Sequence, residues 1–282
     1  MQWYPAPAKL NLFLHVVGRR PDGYHELQTV FRFLDYGDQL QIRVRGDGEI
    51  SRTREIPGVP LCADLCLRAA RLLQQHTACR LGAEITLDKI LPLGGGVGGG
   101  SSDAATVLIV LNRLWGLDLG RNDLRMLALQ LGADVPVFIF AQSAFAEGIG
   151  EVLTPIELPH AWYVVLVPSV MVPTARIFSD PELTRNTNRI KMPAFFTGAV
   201  GNDLEPVVCR LFPEVREYLD WLKQHAPAQL TGSGACAFAS FDDEQIARDV
   251  FASRPTHMQG FVARGLRRHP LNDMILGSSQ VG

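Results

Sequence analysis

The chain has 282 residues, of which 47% are hydrophobic and 20% charged, with a net charge of −2 at pH 7. This is an ordinary globular balance, long enough for two cores. No basic block is present to grip a phosphate backbone, which argues against a nucleic-acid partner. The longest apolar runs, Ala104–Leu111 and Ala161–Val167, are far shorter than the ~20 residues of a membrane span.

Lys9–Val16 opens the pattern. It alternates, with Leu10, Leu12, Leu14 and Val16 on one face and Lys9 and Asn11 on the other, as in a half-buried strand. Pro21-Asp22-Gly23-Tyr24 reads as a turn. Thr29–Leu34 and Gln39–Val44 read as two strands separated by Asp35-Tyr36-Gly37-Asp38. Asp64–Gln75 carries a helical stripe of Leu65, Leu67, Ala69, Leu72 and Leu73 behind Asp64 as its cap. Glu84–Leu87 is a strand leading into a glycine run. Helices follow at Ser102–Trp115, stopped by Gly116, and Asn122–Leu131, stopped by Gly132.

After Pro159 come a buried strand (Trp162–Val167), a helix (Phe212–Gln224), a strand (Ala235–Phe241), a helix (Asp243–Ser253) and a last strand (Phe261–Ala263). The mixed order and the hairpin spacing near the start predict an α+β fold rather than a strictly alternating parallel sheet. Two lobes are expected, 1–157 and 158–276, meeting near Pro155–Pro159, with 277–282 as a frayed tail. The start, Met1-Gln2-Trp3-Tyr4-Pro5, lacks the charged and apolar regions of a signal peptide. Cys62, Cys66, Cys79, Cys209 and Cys236 include no CxxC pair, and the seven histidines show no HExxH spacing. These features predict a cytoplasmic protein with reduced thiols and no zinc site.

The glycine run is the most informative stretch. Six glycines fall in the seven residues 94–100, followed by Ser101-Ser102-Asp103 and an apolar helix. Each costs roughly 0.5–1 kcal/mol of chain entropy relative to alanine, against a domain stability of about 5–15 kcal/mol. Such a run brings bare backbone N–H groups together beside a helix start, a setting suited to a phosphate chain. A P-loop is excluded because no lysine follows the glycines. The pattern GxGxxG is present at Gly94, Gly96 and Gly99. The second helix after Trp115, where a strand should end in an acidic residue, speaks against a dinucleotide site.

Pro92 through Ala105 closely resembles the second signature of the GHMP kinase superfamily. Pro7-Ala8-Lys9-Leu10-Asn11-Leu12 resembles the first, and Leu230-Thr231-Gly232-Ser233-Gly234-Ala235-Cys236 the third. Three matches in fixed order are far more specific than one. Within the superfamily the likeness is strongest to a branch acting on a cytidine-diphosphate-linked methylerythritol in isoprenoid precursor synthesis. It extends through Arg20–His25, Phe33–Asp38, Leu131–Pro136 and Ala144–Gly148. One departure is Asp64, where that branch is expected to carry asparagine near the adenine.

The resemblance implies a two-lobed α+β fold with mixed and antiparallel sheets and an active site in the cleft between lobes. It implies ATP with Mg2+, a small-molecule kinase, no nucleic-acid or membrane partner, and a monomer or weak homodimer. Pro92, Gly94, Gly95, Gly96, Val97, Gly98, Gly99, Gly100, Ser101, Ser102 and Asp103 would hold the ATP phosphates. Asp134 would accept the proton of the substrate hydroxyl, with Lys9 beside it stabilising developing charge. Tyr24 and Phe178 would stack on the cytosine, with Phe31 a further aromatic, and His25 would bond its edge. Asn11 and Thr174 would reach the sugar or phosphates, and Gly232 and Ser233 the diphosphate. Taken alone, Asp134 reads as a turn or helix cap and Lys9 as a solvated strand residue.

Overall fold

Two long strands organise the molecule, whose computed structural model describes residues 2–198 and 200–276. β1 (Tyr4–Arg19) and β2 (His25–Arg45) form an antiparallel hairpin around the Pro21–Tyr24 turn, pairing Lys9 with Phe33 and Asn11 with Phe31. β1 is buried on both faces, not one: Lys9 and Asn11 are nearly inaccessible, because the glycine run covers the face expected to meet water. β2 is one strand where the sequence suggested two. Asp35–Asp38 read as a turn, yet Gly37 lies so close to β1 that a Cβ there would sit 2.3 Å from the Ala6 carbonyl oxygen. Asp38 is fully buried and accepts hydrogen bonds from the backbone N–H groups of Ile90 and Leu91. Turn-like residue types serve packing and bonding here.

The remaining strands are β3 (Ile50–Arg52), β4 (Gly82–Asp88), β5 (Ala144–Glu147), β6 (Val152–Pro155), β7 (Trp162–Val167), β8 (Ala228–Leu230), β9 (Ala237–Phe241) and β10 (Gln259–Leu266). The sheet runs β3-β4-β2-β10-β7-β9-β8, with β1 and β5 also on β2, and β6 on β5. Only the β3–β4 pair is parallel among the described strands. β10 carries the sheet from the first half to the second, pairing with β2 at Gly265 and Leu266 and with β7 along Gln259–Arg264. Arg32 is buried at this junction. Its two terminal nitrogens donate to the carbonyls of Leu158, Pro159 and Gly265, which offsets much of the cost of burying the cation, while Nε is left without a partner.

α1 (Leu65–Thr77), α2 (Gly99–Leu114), α3 (Arg121–Leu131) and α4 (Val135–Phe140) cover the sheet. α2 lies at the centre, with Ala104–Asn112 buried without interruption, so it is apolar all round as a core helix must be. It begins three residues before the expected Ser102, inside the glycine run. The intrinsic penalty of Gly99 and Gly100 is outweighed by burial of the helix they start. A second core joins Val164 and Leu166 of β7 to α6 (Glu205–Leu211), α7 (Pro213–Lys223) and α8 (Glu244–Ala252). Fully burying one such leucine or valine contributes roughly 1.5–3 kcal/mol.

α5 (Thr174–Ser179) and α9 (Asn272–Leu276) complete the α-helices of the described residues, beside one 3-10 turn at Met192–Phe196. Short elements such as β3, β5, β6, β8, α4, α5, α6 and α9 were not expected, since runs of three to seven residues carry too little periodicity to read. The expected tail 277–282 lies outside the described residues. Among those residues no helix is long and apolar enough to cross a membrane.

Candidate active site

A cleft of about 910 Å3 runs from the start of α2 to the β1–β2 turn. One end is made by the glycine loop. Gly94, Gly96 and Gly98 all have positive φ, and two of them have no room for a side chain. A Cβ on Gly98 would lie 3.0 Å from two carbons of Lys9, and one on Gly96 would lie 2.1 Å from the Thr231 carbonyl oxygen. The loop is thus pressed onto both the first strand and the third glycine-rich segment. The N–H of Ser102 makes the first helical bond, to Gly98 at 2.8 Å, and no side chain caps the helix. The N–H groups of Gly99, Gly100 and Ser101, residues that line the cleft, therefore precede the ladder and are free for an anion.

Lys9 lies beneath this loop with only 2% of its side chain exposed. Its ammonium has three acceptors: Asn11 Oδ1 at 2.6 Å, Asp134 Oδ2 at 2.9 Å and the Gly96 carbonyl at 3.1 Å. Every proton of the buried cation is directed. Asp134 stands at the start of α4 but does not cap it; its carboxylate, 39% exposed, turns to Lys9 and the cleft. The pairing of a saturated lysine with an open carboxylate leaves one oxygen-bearing group able to receive a proton from a ligand.

The rest of the expected phosphate set divides. Pro92, Gly94–Gly96, Gly98–Gly100 and Ser101 line the cleft. Val97, Ser102 and Asp103 do not; the loop was expected to act through its backbone N–H groups with hydroxyls from Ser101 and Ser102, and of these two hydroxyls the Ser102 one is buried away from the cleft. Val97 packs in the core while its carbonyl accepts from Lys9 N–H at 2.9 Å. Ser102 is fully buried. Asp103 points inward to Lys89 Nζ at 2.7 Å, and the same ammonium holds Asp38 at 2.5 Å. One lysine serves two buried carboxylates. Asp38 also has its two backbone donors, whereas Asp103 Oδ1 has no partner. Desolvation, with the charge of Asp38 added, pushes the Asp103 carboxyl up to about 8 against the pull of Lys89.

Asp64 likewise faces inward. It caps α1 through the N–H groups of Cys66 and Leu67 and pairs with Arg52 at 2.7 Å, so the acid in place of asparagine is a structural ion pair.

At the other end, Tyr24 is 61% exposed at the mouth and His25 lies against Phe178, ring centroids 5.0 Å apart. Phe31 lines the cleft below Lys9, its ring centroid 5.4 Å from the ammonium. Thr174 and Ser233 share a 2.7 Å hydrogen bond, and Gly232 lies beside them in the lining. Asn11 is also present, and each end of its amide is bonded, to Lys9 and to the Thr29 hydroxyl. It orients the lysine, and the second N–H of its amide, with Asn11 in the cleft lining, is left for a ligand. Sequence reasoning missed Thr231, whose hydroxyl accepts from the Asn11 N–H and donates to the Gly96 carbonyl. It also missed Lys89, Asp38 and Arg185; no local pattern marks contacts so distant along the chain.

A helix start free for phosphate, a lysine–carboxylate pair and an aromatic slot in one cleft define a small-molecule kinase site. The family GHMP kinases N terminal domain matches residues 64–142, and GHMP kinases C terminal matches 190–258. A 4-diphosphocytidyl-2-C-methyl-D-erythritol kinase of Thiobacillus denitrificans is 61% identical, over 97% of this chain and 99% of its own. One of Nitrosospira multiformis is 60% identical, over 95% and 92%. Among solved structures, a 4-(cytidine 5'-diphospho)-2C-methyl-D-erythritol kinase superposes with a TM-score of 0.81 at 32% identity, covering 94% of this chain and 99% of that one. A homoserine kinase from Cytophaga hutchinsonii gives 0.66 at 16%, covering 95% and 94%, a likeness of fold. The chain belongs to the family of 4-diphosphocytidyl-2-C-methyl-D-erythritol kinases, within the GHMP kinases.

Proposed function

We propose that the protein transfers the γ-phosphoryl group of ATP to the 2-hydroxyl of 4-diphosphocytidyl-2-C-methyl-D-erythritol. The observation that carries this reading is the Lys9–Asp134 pair, 2.9 Å apart, placed between the free N–H groups of α2 and the aromatic slot of His25 and Phe178. The N–H groups of Gly99, Gly100 and Ser101 receive the phosphate chain. The cytidine end lies among Tyr24, His25 and Phe178, and the diphosphate passes Thr174, Gly232 and Ser233. The hydroxyl between them then meets Asp134.

Phosphoryl transfer passes through a loose transition state with charge spread over the equatorial oxygens, so positioning and charge stabilisation dominate. Asp134 accepts the hydroxyl proton as the oxygen attacks. Lys9 holds that carboxylate in place and puts a fixed positive charge beside the developing negative one. Its other two bonds, to Asn11 and Gly96, keep it from swinging away.

Among the described residues no three His, Cys, Asp or Glu side chains converge on a metal position. Magnesium, which takes one or two carboxylates plus substrate phosphates, therefore fits here only as an ion carried on ATP. Ser101 and Asp134 are the oxygen-bearing side chains of that end that would hold it. When bound, it neutralises phosphate charge. The same reading gives a cytoplasmic protein, monomeric or weakly dimeric, whose lobes meet near Pro155–Pro159.

Asp134→Asn tests the assignment. The variant should fold, because the asparagine oxygen can still accept from Lys9 and the acceptors Asn11 and Gly96 remain, and should turn over at least about a hundredfold more slowly, the scale usual for a general base. Coupled ADP release with the cytidyl substrate reads the rate. A variant within threefold of wild type, roughly 0.65 kcal/mol, would remove Asp134 from the chemistry.

A further inference from the structure

Arg185 lies outside the signatures yet makes four polar contacts at the His25 end of the cleft. Its Nε donates to His25 Nε2 at 3.1 Å, across 160 residues of sequence. Its Nη1 donates to the Leu183 carbonyl, and its Nη2 to the carbonyls of Phe178 and Asp180 at 3.0 and 2.7 Å. One guanidinium therefore joins the two walls of the slot, the His25 wall and the Phe178 wall, whose rings stand 5.0 Å apart. Arginine is suited to this because its five donors form a rigid, planar, permanently charged fork.

We propose that Arg185 is a positioning residue that fixes His25 as the Nδ1–H tautomer, making it a donor that selects cytosine over uracil. This rests on the kinase reading above and adds to it the origin of base choice.

The argument runs through donors and acceptors. A guanidinium can only donate, so the His25 nitrogen facing it must offer a lone pair. Burial, then the charges of Arg185 and Arg19, lower the imidazole pKa from its ordinary value, so the ring is neutral near pH 7 and its single proton is on Nδ1. Among the described residues Nδ1 has no hydrogen-bond partner, and His25 lines the cleft. Cytosine presents a bare N3 and a carbonyl O2, both acceptors, beside an amino donor. Uracil presents N3–H, a donor, in the same place. A ring N–H held toward that edge bonds the first and collides, donor to donor, with the second. A buried donor left unpaired is how a site rejects a near-isostere strongly. Without the arginine the neutral ring is free to move its proton to Nε2 and turn an acceptor to the base.

The test uses the full-length protein with 15N-labelled histidine, its His25 signals identified by comparison with His25→Asn. Long-range 15N–1H spectra of the ligand-free wild type should show Nδ1 protonated and Nε2 bare. An Nε2–H ring or an imidazolium overturns the proposal without recourse to any Arg185 variant. Arg185→Met should then show a mixture of tautomers, and its preference for CDP over UDP in isothermal titration should fall by about tenfold or more. KM for the cytidyl substrate should rise more than kcat falls. Arg185→Lys, which keeps a cationic donor, should retain most of the preference, and it replaces the methionine variant if that one does not fold. An unchanged tautomer or an unchanged CDP-to-UDP ratio in a folded Arg185→Met overturns the proposal. Failure of the wild type to bind any cytidine nucleotide would instead defeat the kinase reading, while the tautomer spectrum still decides the His25 contact.

Discussion

Asp103 shows how a residue in a signature can serve the fold instead of the ligand. It follows Ser101 and Ser102 in the loop, yet its carboxyl turns inward to Lys89, which Asp38 already occupies. A Cβ on Gly99 would fall 2.9 Å from Lys89 Nζ, so this cluster forms the floor on which the cleft-facing turn of α2 rests. The carboxyl is pushed up to about 8, above the ~3.9 of an unfolded aspartate. Between those values the native state holds a proton that the unfolded state has released. The unfolded state binds fewer protons, so stability falls as pH rises through this window. Asp103→Asn removes the titrating group. Melting curves from about pH 5 to about pH 8 should show the wild type losing Tm relative to the variant as pH rises; parallel curves would mean that Asp103 is ionised throughout.

At the scale of elements, α2 and α1 use opposite devices at their starts. α2 leaves its first N–H groups open toward the cleft, with no side chain to cap them. α1 closes its own with Asp64, which also holds Arg52 at 2.7 Å. Asp64→Ala removes a cap worth about 1 kcal/mol and strands a mostly buried guanidinium. The total should be about 3 kcal/mol or more, since breaking a buried pair costs 3–5 kcal/mol. Asp64→Asn keeps the capping oxygen and should lose less. Urea unfolding checks both, and equal losses would mean that the Arg52 pair, not the cap, carries the effect.

Across the whole molecule, what was legible in the sequence was what short-range pattern encodes. The stripe of α1, the run of β7 and the paired helix stops at Gly116 and Gly132 all follow from side-chain period and breakers within a dozen residues. The failures share a physical cause. Asp35–Asp38 carry turn residues, but Gly37 answers the approach of β1 and Asp38 the needs of Ile90, Leu91 and Lys89, all distant in the chain. α4 has six residues and no period to read. The site was legible through its glycines, whose entropic cost demanded a reason. Lys9 and Asp134 were reachable only through the family likeness, because no rule of spacing joins a strand lysine to a carboxylate on the far side of the glycine loop. Arg185 and Thr231 were not reachable at all: their roles consist of contacts that exist only once the two halves of the sheet are joined by β10.

The central claim is that this cleft couples a phosphate-binding helix start to a cytidine slot across Lys9 and Asp134. Coupled ADP release from ATP and Mg2+, measured with and without purified 4-diphosphocytidyl-2-C-methyl-D-erythritol, tests it most directly. The account predicts ADP formed one-for-one with phosphorylated substrate, and almost none in its absence. ADP release indifferent to the cytidyl compound, from a folded protein that binds ATP, would contradict it.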